Sequence, residues 1–124
     1  MPSEAYFLEF FRALFLTLLA ETTILFLIIR SSFKIPATKL STQKLLLASC
    51  VASGLTLPCL WFILPALIHD YTVFLTIGEL SVFLVEAVIY FFVLRVSPKK
   101  ALFLSFTCNL ISFLLGLLMQ NLLH

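Results

Sequence analysis

Charged side chains are scarce, making up 11% of the 124 residues, where a soluble domain carries about a quarter. So little polar surface cannot cover a water-exposed globule, and a soluble fold is excluded. Histidine is limited to His69 and His124, both placed at the outer surface. No HExxH run, glycine-rich phosphate loop or Ser/His pair at one depth is present, so the chain does not read as an enzyme. The three cysteines, Cys50, Cys59 and Cys108, lie inside apolar runs without CxxC or Cys/His ligand spacing; they read as reduced packing residues, and no cofactor is expected. The net charge is only +2, and aromatic and basic residues do not interleave, so nucleic acid is not an expected partner. Glu4 and Glu9 precede the first apolar run, and no small-residue cleavage pattern follows it, so that run reads as a retained span.

What the sequence has in abundance is hydrocarbon. Hydrophobic residues reach 62%, Phe alone occurs 14 times, and the mean hydropathy is +1.16. A spanning helix takes about 20 apolar residues, and runs of that size fall at about 8–30, 44–68, 72–95 and 100–122. They are continuous and Leu-rich rather than alternating, which selects helices over barrel strands. The expected fold is an all-α integral membrane protein, a single transmembrane domain over 1–124, with the lipid bilayer as its first partner.

Seven of the eight basic residues sit in the first and third connections: Arg30, Lys34, Lys39 and Lys44, then Arg95, Lys99 and Lys100. Neither connection contains an acid. The positive-inside rule places both on the cytoplasmic side, with both termini facing outward and the cytoplasmic membrane as the expected location. Tyr6, Trp61 and Tyr71 then fall near the outer headgroups as interfacial anchors.

A hairpin pattern is written twice. ETTILFLIIR (Glu21 to Arg30) and EAVIYFFVLR (Glu86 to Arg95) share Glu, Ile, Phe and Arg at a constant offset of 65. KLLLASCVASGLT (Lys44 to Thr56) and KALFLSFTCNLIS (Lys100 to Ser112) share Lys, Leu and Ser at an offset of 56. The expected architecture is therefore two tandem helical hairpins, 1–68 and 72–124, related by a pseudo-two-fold axis along the membrane normal.

Nine residues separate each glutamate from its arginine, about 13–14 Å of helix, so Glu21 and Glu86 fall near the midplane. Nine residues beyond Lys44 and Lys100 lie Ser53 and Asn109, at the same depth. Glu79, Glu86 and Tyr90 share one face of the third span, with Glu79 nearer the outer surface. Ser49, Ser53 and Thr56 form a stripe on the second, and Ser105, Asn109 and Ser112 one on the fourth. Carboxyls facing lipid at that depth cost several kcal/mol, so the stripes are expected to converge on a common interior. Desolvated there, the acids are expected to be protonated, to share a proton or to bind a cation.

The candidate site is thus Glu21, Glu86, Glu79, Asn109, Ser53 and Thr56, an oxygen-rich set that suits protons or a hard cation. The expected function is a small transporter or channel working through those glutamates. A single bundle is narrow, so a homo-oligomer is expected. The alternative is an accessory or assembly subunit, whose polar layer fixes its own fold while its Phe-rich faces dock on a larger membrane-protein complex. The stretch AETTILFL around Glu21 resembles the glutamate-bearing first helix of small multidrug-resistance transporters, a resemblance that implies proton-coupled export of aromatic cations. Trp61 in the second span and Glu86 in the third depart from that family's pattern, and no residue role is transferred from it.

Overall fold

A computed structural model of the chain describes residues 3–123, so His124 lies outside the described residues. It is all-helical across four long segments: α1 (Glu4–Ser32), α2 (Thr42–Leu67), α3 (Tyr71–Leu94) and α4 (Pro98–Leu123). Each contains a stretch long and apolar enough to cross a membrane, as expected of a multi-pass membrane protein.

The helices start where a side chain can replace the missing turn. Ser3, Ser41, Asp70 and Ser97 each accept a hydrogen bond from the backbone N–H three residues on, at 3.1, 3.2, 3.1 and 3.3 Å. Such a cap satisfies one otherwise orphaned donor and stabilises a helix by about 1 kcal/mol. The caps move all four starts outward from their expected places, α3 to Tyr71 from 72 and α4 to Pro98 from 100 among them. α1 begins at Glu4 rather than near residue 8, and α2 at Thr42 rather than 44. α1 also runs past Arg30, because its last turn widens to π-helix over Ile28–Ser32, with the Phe33 N–H bonded to the Ile28 carbonyl at 2.8 Å.

α2 is interrupted by its prolines. Pro58 ends its regular part, a π-helical turn follows over Cys59–Ile63, and Pro65 opens the short closing turn Leu64–Leu67. Proline has no N–H, so Pro65 cannot bond the Trp61 carbonyl four residues back. The Tyr6 hydroxyl donates to that carbonyl instead, at 2.5 Å. Around this bridge the Tyr6 ring lies 5.2 Å from Trp61 and the Phe10 ring 4.9 Å from Phe62, so an aromatic cluster fastens the start of α1 to the end of α2. Tyr6 and Trp61, expected as interfacial anchors, are therefore partners of each other. Tyr6→Phe is expected to leave the carbonyl unsatisfied and to cost about 1–2 kcal/mol in unfolding measurements in detergent.

Four neighbouring pairs hold the bundle together: α1 with α2, α2 with α3, α3 with α4, and α4 with α1. α1 and α3 thus stand on one diagonal. The dry core occupies the half toward the first and third connections, where Leu25, Ile29, Leu45, Ala48, Tyr90 and Leu104 form one buried cluster. The small Ala48 and Ala52 are fully buried and let the helices approach closely. Gly78, buried on α3, serves the same end at the far half, since a Cβ there would lie 2.6 Å from the Leu60 side chain. Outward faces carry Leu8, Phe15, Phe92 and Leu122, as a hydrocarbon solvent permits.

Candidate functional site

The polar stripes meet in the interior. Glu21 and Glu86 are each 1% exposed, Ser49, Ser53 and Ser105 are fully buried, and Thr56 is nearly so. Asn109 and Glu79 are half-buried. The two glutamates come from the diagonal helices α1 and α3, and their carboxyls lie beside each other at the inner end of one cleft. Two neighbouring carboxyls share a proton more readily than they hold two negative charges, and no Lys or Arg lines the surrounding cleft to balance a second one.

Around the pair the hydrogen bonds run across helices. Ser53 on α2 donates to Glu21 Oε2 at 2.5 Å. Thr56, one turn further on, has Glu86 Oε2 at 3.3 Å and the Ala52 carbonyl at 2.8 Å. A threonine hydroxyl has one proton, so when it donates to the nearer oxygen, the longer contact is completed by a proton on Glu86. Asn109 on α4 approaches Glu86 and donates from Nδ2 to the Ser105 carbonyl at 2.8 Å and to Ser105 Oγ at 3.2 Å. Ser105 in turn donates to the Phe83 carbonyl at 2.6 Å, tying α4 to α3. The same work is done between α1 and α2 by Thr22, whose hydroxyl donates to Ser49 at 3.0 Å.

Among the described residues, three buried oxygens are left without a partner: Glu86 Oε1, the Tyr90 hydroxyl and Ser112 Oγ. Tyr90 lies one turn below Glu86, fully buried, and its hydroxyl is near the Glu21 carboxyl without reaching hydrogen-bond geometry. An orphaned buried hydroxyl costs about 1–3 kcal/mol, so Tyr90→Phe is expected to unfold at a higher temperature than the parent while altering proton transfer at the pair.

Above the pair the bundle opens. A cleft of about 250 Å³ reaches from Glu21, Glu86 and Asn109 past Glu79 to Trp61 and Tyr71 at the end near the second connection. That volume far exceeds the about 10–15 Å³ that admits one water. Glu79 lies seven residues from Glu86 on the same face, about 10 Å along the helix. The cleft lining thus includes Glu21, Glu79, Glu86, Thr56 and Asn109. Ser53, the sixth expected residue, is held behind Glu21 as its hydrogen-bond donor. Gly54, next to it, is exposed on the other face of α2.

Two residues outside the expected set belong to the layer. Tyr90 was legible as the next residue on the Glu79–Glu86 face, but its burial against Glu21 was not. Cys108 directs its Sγ toward the Glu21 carbonyl at 3.9 Å from a fully buried position. All three cysteines are free thiols, and among the described residues no group of three His, Cys, Asp or Glu side chains could hold a metal ion. Comparison with protein families, with curated proteins and with solved structures finds no match to this chain.

Proposed function

We propose that the chain is a small membrane transporter or channel that passes protons, or a hard cation in their place, through the Glu21–Glu86 pair. The observation that carries this reading is the meeting of two carboxyls from non-adjacent helices at the inner end of a polar cleft, with Glu86 Oε1 unbonded. A pair holding one proton can accept a second from water in the cleft and return it, and Glu79 stands midway as a further acceptor. Below the pair the core of Leu25, Ile29 and Leu104 closes the bundle, so passage to the other side requires the hairpins to shift against each other.

The tandem-hairpin reading has support in the burial pattern. Glu21, Leu25 and Ile29 are buried on α1, and so are Glu86, Tyr90 and Leu94 at an offset of 65. Leu45, Ala48, Ser49 and Ala52 are buried on α2, and so are Ala101, Leu104, Ser105 and Cys108 at an offset of 56. The capping serines Ser41 and Ser97 obey the same offset and cap the equivalent lysines Lys44 and Lys100. On this reading the hairpins are copies related by a pseudo-two-fold axis. The basic connections face the cytoplasm across a cytoplasmic membrane, both termini face outward, and a homo-oligomer forms the working unit.

Purified protein in proteoliposomes, assayed for flux down a pH gradient and down sodium, potassium and calcium gradients, tests the proposal. No flux of any of these ions would overturn it. The directness of the Ser53–Glu21 bond favours a second reading, an accessory or assembly subunit whose polar layer only holds its own fold. That reading expects stoichiometric copurification with another membrane protein, and glutamate substitutions that lower stability without a flux to lose.

A further inference from the structure

The opposite end of the bundle carries a basic pocket. The first and third connections fold together there around a pocket of about 320 Å³. Lys39, Lys44, Arg95 and Lys100 line it with exposed side chains, and the buried Leu40 and Val96 give it an apolar wall. No acid lines the pocket and neither connection contains one, so among the described residues nothing in its lining neutralises the four cations.

The backbone adds to that field. α2 and α4 both begin beside the pocket, capped by Ser41 and Ser97, and neither has an acid in its first turn. The positive ends of two helix dipoles therefore reinforce the side chains. Two features hold the cations in place. Lys100 Nζ sits 5.2 Å over the Phe33 ring, a cation–π contact that restrains a long side chain. Arg95 closes α3 in the left-handed conformation with φ 54°, where glycine is the usual residue. An arginine there keeps a charge at the pocket at the expense of backbone strain.

We propose that this pocket binds a phosphate-bearing anion, either the headgroup of an acidic lipid or free phosphate. Phosphate satisfies clustered lysine and arginine together with helix N-termini, and basic pockets between membrane helices bind acidic headgroups by the same chemistry. The proposal is independent of the carboxyl pair and stands or falls without it.

The test compares the parent with Lys44→Gln/Lys100→Gln and with Arg95→Gly. Lys44 and Lys100 are exposed, and each gives the serine cap before it only its backbone N–H, so the double variant should fold. Lys99→Gln removes a neighbouring charge outside the pocket. Thermal unfolding in detergent is followed with sodium phosphate against sodium chloride at equal ionic strength. It is then followed in nanodiscs of phosphatidylcholine, with and without an equal part of phosphatidylglycerol.

The parent and Lys99→Gln are expected to be stabilised, and the double variant to bind about thirtyfold more weakly. Arg95→Gly is expected to melt at or above the parent temperature, because its strain is relieved, yet to bind more weakly; a purely structural arginine would not give that combination. Stabilisation by phosphate in detergent identifies a free-anion site, and stabilisation by phosphatidylglycerol alone identifies a headgroup site. No stabilisation by either, or the same stabilisation in the double variant or in Arg95→Gly, overturns the proposal.

Discussion

Reconstituted Glu86→Gln protein is expected to lose about 100-fold or more of its ion flux while folding as well as the parent, the loss typical when a positioned proton-transfer group is removed. Glutamine has nearly the same shape, and its amide can still meet Thr56, so the α2–α3 contact survives. What it cannot do is give up a proton or carry a negative charge. Glu21→Gln is expected to behave alike, because the carboxyls act as a pair and one amide prevents sharing of a proton. Glu79→Gln should slow flux without abolishing it, since the cleft around that residue is wide enough for water to carry the proton past. Parent-like rates in both the Glu21→Gln and Glu86→Gln variants would remove the pair from the pathway.

The largest expected loss of stability comes from Leu25→Ala, at about 3 kcal/mol. Leu25 is fully buried one turn below Glu21, in the cluster with Tyr90 and Leu104. In a bilayer this cost is one of packing: a lipid chain solvates leucine as well as protein does, but it cannot enter the hole left behind. The contrast is Phe92→Ala on the outward face of α3, where the side chain is 68% exposed. Lipid replaces the lost ring there, and the expected cost is near zero. Unfolding by denaturing detergent in mixed micelles measures both, and equal losses would mean that Leu25 does not face a closed core.

Why some of this could be read from the residues and some could not follows from the solvent. In hydrocarbon every backbone polar group must bond within its own segment, so the number of spans follows directly from hydropathy. Burial of the polar stripes follows as well, since a lipid-facing carboxyl is costly; Glu21, Ser53, Thr56 and Glu86 lie inside as their spacing predicts. Helix ends are set by single side chains, and Ser3 as a cap extends α1 beyond its apolar run. The effect of Pro58 and Pro65 is less legible still, because a missing N–H can be answered by a bend, a π-turn or a foreign donor. Here the answer is a π-turn together with Tyr6, from 55 residues away. Pairings such as Thr22 with Ser49 depend on the rotation of each helix about its axis, which a run of leucines does not specify. The lysines and arginines are legible as a topology signal, but not as the walls of one pocket, because two separate connections build it.

The bond between Tyr6 and Trp61 has a bearing on how the protein is made. Ribosomes deliver the amino-terminal segment to the translocon well before the second proline-bearing segment emerges, so the phenol must wait for its acceptor. Until then no bond to that carbonyl ties the start of α1 to the rest of the bundle. Docking of the later segment makes two bonds at once, Tyr6 to Trp61 and Ser53 to Glu21, and both fix the same rotation of α1.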